Sequence, residues 1–94
     1  MPNRWKNWTF KDVVDLLEQH FFIECPGTRT GHRFYKGYVD GKIRLIQVQF
    51  HASKTISPRS LKHDISYKSG IPDKYWLTPG SQYPGAEPIP ERNH

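Results

Sequence analysis

Gly31-His32 stands between Arg29 and Arg33, and this short stretch holds the residues best suited to chemistry in the chain. An imidazole titrates near neutrality, so it can take a proton at physiological pH. Flanked by guanidinium groups that attract phosphate, such a histidine suits ribonuclease chemistry. The neutral ring takes the proton of a ribose 2′-OH, that oxygen attacks the adjacent phosphorus, and nearby cations stabilise the charge that develops. That step requires neither a metal ion nor an external water. A purely structural role for His32, packing at a strand edge against Phe34 or Tyr35, is the competing reading of the same residues.

Other chemistries find no support in the spacing. The five histidines (His20, His32, His51, His63 and His94) are separated by 12, 19, 12 and 31 residues, and a single Cys accompanies them. These intervals match no metal-binding pattern, and one thiol cannot close an internal disulfide. The chain has no phosphate-binding glycine loop and no Gly-x-Ser-x-Gly elbow, which removes nucleotide hydrolysis and serine-type hydrolysis.

Charge points to the same region. Residues 26–70 carry nine Lys and Arg against Asp40 and Asp64, a net +7, whereas the segments on either side are each −1. A basic block beside a near-neutral remainder is the electrostatic footprint of a phosphate-bearing partner. With 94 residues the chain is sized for one small domain, and its 14% aromatic content means that large rings must supply much of the core. It holds no apolar run long enough to span a bilayer and no signal-peptide pattern, so no membrane association and a cytoplasmic setting are expected.

The elements that must position these residues are readable from periodicity. Phe10, Val13, Val14 and Leu17 share one helical face, with Thr9 as N-cap and Asp12 reaching back to it. His20 falls at the end of that helix, where a partly exposed capping position is expected. Phe21–Cys25, His32–Val39 and Lys42–Phe50 read as strands, the last two joined by Asp40-Gly41, a strong hairpin signal. The apolar set of the third strand changes parity between Leu45 and Ile46, which predicts a bulge there. Ser57-Pro58 opens a second helix that Gly70 ends, with Leu61 and Ile65 inward and Arg59, Lys62 and Ser66 on a basic face. The predicted class is α+β, a small α-β-β-β-α sandwich with one sheet face covered by both helices. Residues 1–8 read as an N-terminal extension, 9–77 as the domain, and 78–94, with four prolines counted from Thr78 onward, as a flexible tail.

Three blocks resemble the HicA family of toxins, the small mRNA interferases of type II toxin-antitoxin modules, whose fold is similar to the double-stranded RNA-binding domain. They are Lys11–Glu18 with Phe22; Thr30-Gly31-His32-Arg33-Phe34-Tyr35, where the family has Gly-Ser-His and usually a second histidine; and Val48 through His51, Lys54, Ile56, Pro58, Leu61 and Ile65 to Gly70-Ile71. The resemblance covers about residues 11–71 and departs from the family at Thr30-Gly31 and at Arg33. It implies a metal-independent endoribonuclease acting on mRNA with His32 as the single catalytic histidine, without a small-molecule cofactor, and held by a HicB-like antitoxin. Under it Arg29, Arg33, Lys54, Arg59 and Lys62 contact RNA, and His51 supports the turn from strand to helix. The alternative is a non-catalytic RNA-binding module that kept the fold and the basic face.

Overall fold

In the computed structural model, which describes residues 5–25, 32–49, 55–78 and 80–90, the first element is α1 (Phe10–Gln19). Its start is the expected capping box: Thr9 Oγ1 accepts the Asp12 amide at 3.2 Å, and Asp12 Oδ2 accepts the Thr9 amide at 3.0 Å. Val13, Leu16 and Leu17 are buried, while Phe10 and Val14 are half-buried at the margin of the same stripe. The helix ends in a Schellman turn, with the Phe21 amide on Glu18 O and the Phe22 amide on Leu17 O. Phe21 holds the left-handed position at φ 68°, a conformation that costs a non-glycine residue about 1–2 kcal/mol.

That reversal leads into an antiparallel sheet of β1 (Ile23–Cys25), β2 (His32–Val39) and β3 (Lys42–Gln49). Asp40 and Gly41 both take positive φ, at 54° and 77°, as the hairpin reading requires. The β2–β3 register runs unbroken from Val39↔Lys42 to His32↔Gln49, so the bulge expected near Leu45 and Ile46 does not form. The parity change has another cause. Ile46 and Val48 are buried against the helices, whereas Ile43 and Leu45 lie on the opposite, open face at 51% and 56% exposure. Ile23, at 58%, joins Leu45 there in one row across the sheet through Lys36. The strand is apolar on both faces for part of its length, and simple alternation is obscured.

The second helix, α2, is helical from Pro58 and comprises Ser60–Ser66, wound as a π-helix, followed by Tyr67–Ser69. Ser57 Oγ accepts the Ser60 amide at 3.2 Å, and Gly70 at φ 76° ends the helix, both as predicted. Leu61 and Ile65 are buried with Val13, Leu16, Leu17, Tyr35, Val39, Ile46 and Val48. One sheet face is therefore covered by α1 and α2, which makes the class α+β. Ser66 departs from expectation. It is buried and donates its hydroxyl to Asp73 Oδ1 at 3.1 Å, because the wide π turns rotate it away from the solvated face.

Two segments outside the predicted domain belong to it. Trp8 is fully buried, its ring centroid 5.6 Å from that of Trp76 in α3 (Asp73–Leu77), and its carbonyl accepts the Ile56 amide at 2.6 Å. Trp5 packs against the same core, its ring centroid 6.4 Å from that of Trp76. Residues 80–90, read from their prolines as part of a flexible tail, are docked. They supply β4 (Ala86–Glu87), which pairs with Val39 and Tyr38 on the edge of β2 that β1 occupies further along. Ala86 is buried, the Asp40 amide donates to Gly85 O at 3.0 Å, and the Tyr83 hydroxyl donates to Asp40 Oδ1 at 2.8 Å.

His20 is the hub of that docking and is fully buried, not partly exposed. Its Nε2 accepts the Tyr83 amide at 2.9 Å, so the ring proton sits on Nδ1 and is donated to Leu16 O at 2.9 Å. Burial pushes its pKa below the ordinary histidine value, with the Leu16 carbonyl opposing in part. In the interval between that lowered value and the ordinary one near about 6.5, the unfolded chain binds the extra proton. The contribution of His20 is thus complete above that ordinary value and is lost as pH falls through the interval. The thermal midpoint is expected to drop between pH 7 and pH 5, and the His20→Asn variant to show a flatter profile. A wild-type midpoint constant over that range would contradict the buried neutral ring.

Candidate nucleic-acid interface

His32 begins β2, with its Cα directly opposite Gln49 at the end of β3. His32 and Gln49 are ladder partners, and Cys25 pairs with Phe34 two residues along, so the end of β1, the start of β2 and the end of β3 lie together at one end of the sheet. Arg29, His51 and Lys54 lie outside the described residues, as does the side chain of His32.

Arg33 is on the helix-covered face at the same end, opposite Val48. It is not simply a free cation for phosphate. Its Nη1 donates to Glu24 Oε2 at 2.8 Å, both side chains being about two-fifths exposed. An exposed pair of this kind is worth at most about 1 kcal/mol, so a phosphate can compete with Glu24 for the guanidinium. Tyr35, next on that face, has its pKa raised first by burial and then by the Glu24 charge, with Arg33 opposing.

Arg59 and Lys62 lie exposed on the first half of α2. Buried Leu61 between them anchors the helix, and Ser57 and Pro58 set where it begins. Residues 50–54 are all that separate Gln49 from Thr55, which bridges to Thr9, so the start of α2 is within short chain reach of the His32–Gln49 end. Gly70, at the other end of α2, packs on the guanidinium of Arg44 further back along β3. Neither Arg59 nor Lys62 forms an ion pair among the described residues. Both remain available to an anionic partner.

Sequence reasoning missed a groove at the far end of α2. It has a cavity volume of about 350 Å³, and Lys62, His63, Tyr67, Ile71 and Asp73 are among its lining residues. Tyr67 is 81% exposed. The available signal was an aromatic residue with His63 and Asp64 at the helical neighbour positions, outside the apolar stripe of Leu61 and Ile65.

The chain was compared with family models, curated proteins and solved structures, and none matches. Among the described residues, no helix is long and apolar enough to cross a membrane.

Proposed function

We propose that the protein is an endoribonuclease of toxin type that cleaves mRNA with His32 as general base and is held inactive by a HicB-like antitoxin. The observation that carries the RNA-binding part is the pair of exposed cations Arg59 and Lys62, without an ion pair among the described residues, on a helix whose start is tied by a short stretch of chain to the sheet end where His32 begins β2. The succession α1-β1-β2-β3-α2, with both helices on one sheet face, supports a likeness to the double-stranded RNA-binding domain, to which α3 and β4 are additions.

In the proposed reaction the neutral His32 imidazole takes the proton of a ribose 2′-OH, and O2′ forms a bond to phosphorus. The bond from phosphorus to the 5′ oxygen of the next nucleotide breaks, and that oxygen takes a proton from the imidazolium or from water. The products are a 2′,3′-cyclic phosphate and a free 5′-hydroxyl. Arg29 stabilises the charge on the pentacoordinate phosphorus, and Arg33, released from Glu24, holds a neighbouring phosphate at the same end of the sheet. Lys54, Arg59 and Lys62 hold flanking phosphates, which positions the strand without reading its sequence. His51 keeps its expected place as support for the turn into α2. An antitoxin that covers these cations would compete with RNA directly.

One observation favours a non-catalytic RNA-binding module instead. Arg33, at the position where the family usually has a second histidine, is engaged by Glu24. Binding is common to both readings, and cleavage separates them.

RNA affinity is expected to fall steeply with salt, because each neutralised phosphate releases condensed counterions. Replacing Arg59 and Lys62 together by Ala should weaken binding and flatten the logarithmic salt slope by about 0.7 per lost contact on a single strand. Filter binding across a salt series measures both quantities. An affinity indifferent to salt would remove RNA as the partner of this face.

A further inference from the structure

We infer that the groove between the end of α2 and the start of α3 is a subsite for one unpaired nucleotide of the bound RNA, with its base stacked on Tyr67. The inference rests on the RNA-binding reading and names a part of the interface that the reading does not supply.

The groove owes its composition to the π-helical winding of Ser60–Ser66. The Tyr67 amide donates to the carbonyl of Lys62, five residues back, so Lys62 lies one turn before Tyr67. In an α-helix of 3.6 residues per turn, positions five apart are separated by about 140° and face different ways. The π turns instead bring Lys62, His63 and Tyr67 to a common groove while Ser66 turns inward. Gly70, Ile71 and Pro72 line it where the chain leaves the helix.

Chemistry and size then select the occupant. Tyr67 offers an exposed ring on a rigid helix, the platform on which any base can stack, with apolar Ile71 and Pro72 also in the lining. Lys62 and His63 supply cationic or donor groups for a phosphate. Asp73 is the acidic lining residue, and its Oδ1 accepts the Ser66 hydroxyl; its charge keeps a phosphate away from its own end of the groove and toward Lys62. A volume of about 350 Å³ is near the lower limit for small-ligand pockets, about 300–1,000 Å³, which admits a single nucleotide and not a stacked duplex.

The test compares wild type, Tyr67→Ala and Tyr67→Phe on a single-stranded RNA and on a fully paired RNA duplex of equal length. Tyr67 is exposed, so all three proteins should unfold at the same temperature. Loss of a stacking platform should weaken binding of the single strand by about five-fold to a hundred-fold in Tyr67→Ala, leave the duplex unaffected, and be rescued in Tyr67→Phe. A 2-aminopurine base in the single strand should be quenched by wild type and released by Tyr67→Ala. Equal single-strand affinity in Tyr67→Ala and wild type would overturn the subsite while leaving the RNA-binding reading intact. An equal loss on both RNAs would overturn its preference for an unpaired base. Wild type that binds neither RNA would overturn the RNA-binding reading, and the subsite with it.

Discussion

The His32→Ala protein is expected to cleave RNA about 10²–10⁴-fold more slowly than wild type, the usual contribution of a positioned general base. Its fold and most of its RNA affinity should survive. The ladder pairing of His32 with Gln49 is made by backbone groups that any residue but proline supplies, and the core is built from Tyr35, Val39, Ile46 and Val48 further along the sheet. Phosphate contacts from Arg59 and Lys62 do not depend on the imidazole. Cleavage rates on a defined oligonucleotide, with the dissociation constant measured alongside, separate the two effects. If cleavage persists at the wild-type rate, His32 is not the base and His51 becomes the residue to replace. The same substitution should relieve growth arrest in cells that express the protein without its antitoxin.

Trp8→Ala should cost about 3–5 kcal/mol of stability, the range for removing a buried large aromatic side chain. Native domains have about 5–15 kcal/mol in total, so this one substitution removes between about a fifth and all of it. Trp8 is 0% exposed, packs its ring at a tilt against Trp76 and joins the start of α1 to the strand-to-helix connection through its bond from Ile56. Its removal leaves a cavity between three elements that cannot all close on it. Trp5, half-buried and also against Trp76, should cost distinctly less when replaced. Urea unfolding of both variants measures the difference. A Trp8→Ala midpoint equal to that of wild type would show that residues 5–8 are an appendage after all.

Local rules were sufficient for the features whose causes are local. The Thr9–Asp12 capping box, the Asp40-Gly41 turn, the start of α2 at Ser57-Pro58 and its stop at Gly70 each depend on neighbours within a few residues. Features that depend on distant partners were not legible. Tyr83 and Ala86 are ordinary residues in a proline-rich stretch until His20, Asp40 and Val39 are brought beside them. The parity change in β3 suggested a bulge because Ile43 and Leu45 were assumed to seek the core, whereas they remain on the open face. For the site, the exposure of Arg59 and Lys62 followed from helical spacing, but the Glu24 partner of Arg33 lies across a strand pair. Tyr67 was missed for a different reason. A 3.6-residue period was applied to a segment wound as a π-helix, which misplaced Ser66 and hid the groove.

Metal-independent attack by the 2′-OH is tested by incubating the purified wild-type protein, with a divalent-metal chelator present, with an RNA oligonucleotide and with the same oligonucleotide carrying 2′-deoxyribose at the cleaved position. The all-ribose strand is expected to be cut to a fragment ending in a 2′,3′-cyclic phosphate, and the substituted strand to bind equally well and stay intact at that position. Cleavage of the 2′-deoxy position, or binding of both strands with no cleavage of either, would contradict that mechanism.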